Sequence, residues 1–208
     1  MKKNKIIYKI GIDEVGRGPI AGPVALCAVL IKSKDEKILK DKFKKIKDSK
    51  KLSEKQRNKY FNEFQECKLN KQLYASISMI SAIDIDKIGI VKSIQKALDK
   101  SLENVLKQIE KEDVSLDLIE ILLDGGLSCS KKFINQKSII KGDEKEFVIS
   151  VASIIAKVLR DKEMIKYGEK YPKYKFENHK GYGTKAHFEF IKKFGIIKIH
   201  RKTFIKNY

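Results

Sequence analysis

The sequence predicts an α/β domain in which a mixed β-sheet is flanked by helices. Two consecutive β-like runs open the chain at 5–15 and 22–32, separated by a Gly-Arg-Gly-Pro break. Later strands alternate with amphipathic helical segments, a pattern typical of sheets packed against helices. The 208 residues can bury a core without disulfide or metal staples. We therefore expect one domain over 1–208, with a helical appendage at about 168–208.

The other elements follow from apolar spacing and from capping patterns. Residues 33–51 are a Lys-rich loop with some helical character. Ser53 and Gln56 match a capping box, which predicts a helix that ends near Cys67. Apolar residues at helical spacing predict three later helices, and short apolar runs predict three later strands. These strands are expected at 73–80, 117–123 and 137–141, and the helices at 84–110, 144–167 and 184–194.

The charge balance favours a polyanionic partner. The chain has 46 Lys and Arg against 27 Asp and Glu, a formal net charge of +19. Nucleic acid is the simplest such partner, although an evenly solvated lysine surface would give the same composition. No apolar run approaches the roughly 20 residues that cross a bilayer. The three cysteines are isolated and lack metal-site spacing, which fits a protein of the reducing cytoplasm.

Four acidic residues stand where predicted strands end. Asp13 and Glu14 close the first strand, and Asp124 ends an apolar strand before two glycines. Asp143 follows a short strand. Strand ends of an open α/β sheet gather at one rim, where carboxylates would bind Mg²⁺ or Mn²⁺. Two such ions roughly 3.5–4 Å apart are a common device for phosphodiester cleavage.

Each of these acids also has a plain structural explanation. Adjacent strand residues point to opposite faces, so Asp13 and Glu14 cannot both face one site on an ideal strand. Either the strand ends or bulges there, or one of the two acts through its backbone. Asp124 before two glycines is also typical of a turn. Asp143 with Glu146 matches an N-cap pattern for the following helix. Asp161 would be an ion-paired or solvated helical residue.

Six ordered sequence blocks raise the metal interpretation above these alternatives, because together they resemble type 2 ribonuclease H, the ribonuclease HII family. They span nearly the whole chain in the family's order. Type 3 relatives carry an extra N-terminal domain and a different residue where Arg17 stands, so type 2 is expected. The blocks are GIDEVGRGP at 11–19 with AGP at 21–23, DSKKLS at 48–53, LDG at 123–125, KGD at 141–143, SVASIIAKV to RD at 150–161, and HKGYGT at 179–184.

The resemblance implies an RNase H-like fold and cleavage of RNA in hybrid duplexes, including incision 5′ of single ribonucleotides embedded in DNA. Such a reaction leaves 3′-OH and 5′-phosphate ends and serves DNA replication and repair. It further implies that Mg²⁺ or Mn²⁺ is held by four carboxylates, with two ions expected during catalysis. By position, these are Asp13, Glu14, Asp124 and Asp143. Asp143 is then expected both to cap the helix and to bind metal.

The resemblance also implies a set of substrate contacts. Gly16, Arg17 and Gly18 would read a ribose 2′-OH, although a tight turn with a surface Arg explains the same motif. Tyr182 would contact the deoxyribose after the ribonucleotide, the alternative being a half-buried packing role. Ser49 and Lys50 resemble phosphate contacts, and Lys51 fits a solvated lysine equally well. The three histidines are scattered and do not predict a zinc site.

Two other functions remain open on the residues alone. One is a nuclease of the same fold that acts on branched DNA. The other is a non-catalytic basic module that binds nucleic acid. Such a module gains nothing from carboxylates beside a phosphate backbone, which counts against it. For the ribonuclease, the expected partner is a hybrid or ribonucleotide-containing duplex. Neither a membrane nor an obligate protein partner is expected. The protein is expected to be a monomer.

Overall fold

A five-stranded mixed sheet forms the centre of the computed structural model, which describes residues 5–46 and 51–205. In space the strands follow the order β3-β2-β1-β4-β5. The first three pair antiparallel, and β4 and β5 then join in parallel. The predicted mixed sheet is therefore confirmed. The strands are β1 Tyr8–Val15, β2 Val24–Lys32, β3 Tyr74–Ile80, β4 Ile119–Asp124 and β5 Gln136–Ile139.

The pairing of β1 with β4 brings two of the predicted acids to one rim. The strands run parallel, with Ile12 opposite Leu123, so Asp13 and Asp124 come next at the same edge. Parallel neighbours present their carboxyl ends together, which is where α/β sheets form sites. The sheet register thus confirms the placement that the strand ends predicted.

Helices cover both faces of the sheet. One core cluster packs the amphipathic helix α4 against β2 and β3, and the other packs α6 against β1 and β2 with α2 behind it. Among the described residues, no helix is long and apolar enough to cross a membrane. The helices are α1 Glu36–Lys42, α2 Glu54–Leu69, α3 Ala82–Ile88, α4 Ile90–Lys107, α5 Gly142–Lys145, α6 Phe147–Lys170, α7 Phe176–His179 and α8 Lys185–Phe194.

Two predicted helices are interrupted. The expected helix at 84–110 is two helices, because Gly89 adopts a φ of +81° that ends α3 before α4 begins. The expected helix at 144–167 begins only at Phe147, because Glu146 is extended between α5 and α6. Asp143 lies inside α5, whose N-cap position is Lys141 and has no side-chain cap. The expectation that Asp143 caps the helix was therefore wrong.

The last segment of the chain returns to the connection between β1 and β2. The amide of Ile20 donates to the carbonyl oxygen of Gly181 at 2.9 Å, and the amide of Arg201 donates to the carbonyl oxygen of Ile20 at 2.8 Å. Gly22 N donates to Ile199 O at 2.8 Å. These bonds place the C-terminal helical segment beside the Gly16–Arg17–Gly18 motif, which lies in the same connection.

Candidate active site

A cavity of about 420 Å³ opens at the rim where β1 and β4 end. Larger cavities lie elsewhere among the described residues, but this one is lined by three of the four predicted acids together with predicted substrate contacts, so chemistry identifies it rather than size. Asp143 is not part of the lining. Ser49 and Lys50, also predicted to contact substrate, lie outside the described residues. The cavity is lined by Asp13, Glu14, Val15, Gly16, Arg17, Gly18, Arg57, Asp124, Ser153, Lys157 and Tyr182.

The acids are held by main-chain hydrogen bonds and by burial. Asp13 is only 5% exposed, and its Oδ1 accepts a hydrogen bond of 2.8 Å from the amide of Glu14. Asp124 Oδ1 accepts one of 2.6 Å from the amide of Gly142, which ties the end of β4 to the start of α5. Asp143 is the residue after Gly142 and is fully buried. Four carboxylates from three elements therefore share one neighbourhood.

Asp13 and Glu14 both line the cavity, despite the alternation expected of adjacent strand residues. They stand near the end of β1, which stops at Val15. There the Asp13 carboxylate lies against the amide of Glu14, the next residue along the chain. Both acids therefore line the cavity close to a strand end, one of the arrangements that the sequence left open for this pair.

The pKa of Asp13 shows that the acids lie close to one another. Burial, together with the charges of Asp124, Glu14 and Asp143, raises the pKa of Asp13 to about 8. A hydrogen bond from Ser153 acts in the opposite direction. Carboxylates that disfavour one another's charge in this way are stabilised by a cation between them.

The donor chemistry of this cluster fits a divalent cation. Carboxylate oxygens are the ligands that Mg²⁺ and Mn²⁺ prefer. Within residues 5–46 and 51–205, no three His, Cys, Asp or Glu side chains are grouped tightly enough to hold an ion as they stand. The carboxylates are thus close together, but they would have to move closer to one another to coordinate a metal ion.

A buried arginine holds the Gly16–Arg17–Gly18 loop from behind. Arg201 is fully buried, and its guanidinium donates to the main-chain oxygens of Gly16 at 2.6 Å and Arg17 at 2.9 Å. Gly16 has a φ of +85°, and a Cβ there would lie 2.2 Å from Nε of Arg160. Only glycine fits this position, so the loop has one defined shape.

A second buried arginine joins the loop to Tyr182. Arg160 donates to the main-chain oxygens of Pro23 at 3.1 Å and Lys180 at 3.0 Å. Its guanidinium carbon lies 6.0 Å from the centre of the Tyr182 ring, a cation–π distance. Tyr182 is 43% exposed and faces the cavity, so its ring is available to a ligand.

Three polar side chains in the cavity lining were not predicted to be site residues. Ser153 and Lys157 lie one turn apart on α6, and Arg57 lies on α2. The i, i+4 spacing of the first two was a usable signal, but the apolar stripe of that helix masked it. Lys157 also pairs with Asp161 at 2.9 Å, which confirms the ion pair predicted for Asp161.

Comparisons with known proteins agree with this geometry. A family model described as Ribonuclease HII matches residues 10–207. A ribonuclease HII of Caldicellulosiruptor bescii is 41% identical over 197 residues, which cover 95% of this chain and 86% of that protein.

Two solved structures share the fold. One is a PCNA:RNase HII complex from Archaeoglobus fulgidus, with a TM-score of 0.70 at 24% identity over 96% of this chain and 95% of that one. The other is a Bst-RNase HIII in complex with Mn²⁺, with a TM-score of 0.69 at 16% identity over 92% and 64%. The RNase H-like fold is thereby confirmed. The chain belongs to the ribonuclease HII family of type 2 ribonucleases H, endonucleases that hydrolyse phosphodiester bonds in nucleic acid.

Proposed function

We propose that this chain hydrolyses the phosphodiester on the 5′ side of ribonucleotides in hybrid duplexes, including single ribonucleotides embedded in DNA. The products carry 3′-OH and 5′-phosphate ends, and the reaction starts ribonucleotide removal during DNA replication and repair. One observation carries the proposal. A single cavity combines mutually repelling carboxylates, of which Asp13 is buried, with a rigid glycine loop and an exposed tyrosine ring.

The carboxylates supply the metal site of this proposal. Mg²⁺ or Mn²⁺ would be held by Asp13, Glu14, Asp124 and Asp143. The charges of the other three acids raise the pKa of Asp13, which supports that role. A bound divalent cation supplies an activated water and stabilises charge on the leaving oxygen. The Mn²⁺ complex of a protein with the same fold agrees with this choice of ion.

Selection of a ribonucleotide would come from its sugar. Gly16, Arg17 and Gly18 line the cavity, and with the Gly16 and Arg17 carbonyl oxygens bonded to Arg201, the main-chain amides of this loop would read a 2′-OH. The Tyr182 ring would pack on the deoxyribose that follows. No base edge need be read, so cleavage would be independent of base sequence.

Two cations would position the substrate backbone. Arg57 and Lys157 line the cavity from α2 and α6, and a phosphate beside the carboxylates needs positive charge near it. Ser49 and Lys50 stay predicted phosphate contacts. The proposal also places the enzyme in the cytoplasm, where its free thiols at Cys27 and Cys67 would stay reduced. It requires no obligate protein partner.

A panel of labelled duplexes tests the proposal. The duplexes contain one ribonucleotide, a full RNA strand, DNA only, or a DNA branch, each with Mg²⁺, Mn²⁺ or chelator. We expect metal-dependent cleavage of the first two and none of the DNA substrates. Cleavage of branched DNA alone would identify the other nuclease that the residues left open. Binding without cleavage under either metal would contradict the reaction itself.

A further inference from the structure

Three histidines that are far apart in the sequence form one buried cluster behind Tyr182. The rings of His179 and His187 stack with centroids 4.1 Å apart, and the His187 and His200 centroids lie 5.2 Å apart. His187 and His200 are almost fully buried. No local sequence pattern indicates this cluster, since its members come from α7, α8 and the segment after α8. Within the described residues, the three histidines are not arranged to bind a metal ion.

The hydrogen bonds of the cluster define which ring nitrogens carry protons. The amide of Ile197 donates to Nδ1 of His200 at 2.9 Å, so that nitrogen is an acceptor and Nε2 of His200 carries the proton. The approach of the same Nδ1 to the Ile197 oxygen, at 3.3 Å, is the weaker of the two contacts. Nε2 of His200 then donates to Nε2 of His187 at 3.1 Å. It follows that His187 carries its proton on Nδ1.

That proton is directed at Tyr182. Nδ1 of His187 lies 2.9 Å from the main-chain oxygen of Tyr182. The amide of Tyr182 in turn donates to the main-chain oxygen of His179 at 2.9 Å. Glycines flank Tyr182 on both sides, so its backbone has unusual freedom unless it is held. The cluster therefore contributes a bond to each main-chain polar group of Tyr182, whose oxygen also accepts a hydrogen bond of 2.8 Å from the amide of Thr184.

The chain of bonds requires neutral imidazoles. A proton on Nε2 of His187 would face the N–H of His200 across 3.1 Å, so the two rings cannot both keep the arrangement when charged. Burial lowers the pKa of both His187 and His200 to about 4. The rings of Phe176 and His187 pack edge to face with centroids 5.4 Å apart, which excludes water from one side of the imidazole. The relay is thus complete and uncharged at neutral pH.

We propose that His187, oriented by His200, is a positioning residue that holds the Gly181–Tyr182–Gly183 turn where the tyrosine ring meets the sugar beside a ribonucleotide. The inference rests on the proposed function. His187 does not itself line the cavity, and its contact with the lining is the bond to the main-chain oxygen of Tyr182. Its effect on catalysis passes through Tyr182, which distinguishes it from a residue that merely stabilises the fold.

A matched pair of variants isolates the bond to Tyr182. In His187→Asn the amide nitrogen can occupy the place of Nδ1 and still donate to Tyr182, whereas in His187→Gln it reaches toward His200 instead. We expect His187→Asn to retain kcat/KM within about threefold on a duplex with one ribonucleotide. We expect His187→Gln to lose about tenfold, the effect of one buried hydrogen bond. Equal activities of the two variants would overturn the inference.

A double-mutant cycle separates positioning from general stability. In a Tyr182→Ala background, His187→Gln should cause no further loss of kcat/KM, because the ring that it positions is gone. A further tenfold loss in that background would show that His187 acts elsewhere and would overturn the inference. Thermal unfolding of each variant reports whether it is folded.

The outcomes for the wild-type protein keep the two proposals distinct. If the wild type does not cleave the ribonucleotide-containing duplex, the proposed function fails. The positioning geometry is then still tested by ¹⁵N NMR of the wild-type histidines, which does not depend on activity or on variants that fold. We expect a neutral His187 with its proton on Nδ1 and a neutral His200 with its proton on Nε2 at pH 7. A charged ring or the opposite tautomer at His187 would overturn the inference.

Discussion

Nη2 of Arg201 donates a hydrogen bond of 2.6 Å to the main-chain oxygen of Gly16, 185 positions earlier in the chain. The same guanidinium reaches the oxygens of Arg17 and Gly22. A planar fork of donors can hold several carbonyl groups at once. The end of the chain therefore fixes the shape of the loop proposed to read the 2′-OH, near its beginning.

Arg201→Lys should weaken both stability and activity. One ammonium group cannot span the carbonyl oxygens of Gly16, Arg17 and Gly22 together. We expect the free energy of unfolding to fall by about 1–3 kcal/mol, the effect of hydrogen bonds lost from buried carbonyls. Cleavage at a single ribonucleotide should fall as well. Denaturant unfolding and kcat/KM measure the two effects, with the exposed neighbour variant Lys202→Gln as control. A variant that matches the wild type in both would refute the role of Arg201 in the loop.

Divalent metal should stabilise the folded protein through the carboxylates. A cation that binds only the native state at 100 times its Kd adds about 2.7 kcal/mol to the free energy of unfolding. We expect Mg²⁺ or Mn²⁺ to raise the melting temperature of the wild type. Asp124→Asn should remove most of that rise, whereas Asp99→Asn, at an exposed site on α4, should retain it. An equal rise in both variants would mean that the ions bind elsewhere.

Lys157→Gln should weaken duplex binding without changing its selectivity. We expect KM to rise, and the slope of log affinity against log salt to fall by about one, as for one lost phosphate contact. The change should be the same for ribonucleotide-containing and all-DNA duplexes, measured under non-cleaving conditions. Lys100→Gln, on the exposed face of α4, is the control. A loss confined to the ribonucleotide-containing duplex would assign Lys157 to sugar recognition instead.

The histidine cluster should make the protein sensitive to acid. The folded pKa of His187 and His200 is about 4, below the ordinary value of 6.5. As the pH falls, the histidines of the unfolded chain are protonated before those of the folded protein. The contribution of the neutral histidines to the free energy of unfolding is therefore present above pH 6.5 and is lost as the pH falls toward 4. Thermal unfolding from pH 7 to 4 measures the loss. The double variant His187→Gln with His200→Gln should show a shallower decline. An unchanged decline would place the acid sensitivity elsewhere.

Much of the fold and of the carboxylate cluster could be predicted from local patterns. Ser53 and Gln56 form the capping box that their spacing predicted. Asp13 and Asp124 meet because apolar runs marked two strands whose carboxyl ends share a rim. Such features depend on a few adjacent residues, so the sequence shows them directly.

Other features depend on contacts that no local pattern records. The extended Glu146 separates α5 from α6 although the residues around it favour a helix. His187 and His200 meet only because α8 and the final segment fold back on each other. Arg160 is buried by main-chain oxygens from distant parts of the chain, which spacing along one helix cannot reveal.

The position of the nick in a duplex with one ribonucleotide tests the central claim most directly. The labelled duplex is incubated with Mg²⁺ or Mn²⁺ and the wild type, Asp124→Asn or Asp99→Asn. We expect one nick, 5′ of the ribonucleotide, with 3′-OH and 5′-phosphate ends, from the wild type and Asp99→Asn and not from Asp124→Asn. A nick elsewhere, or full activity of folded Asp124→Asn, would contradict the claim that these carboxylates drive ribonucleotide-directed hydrolysis.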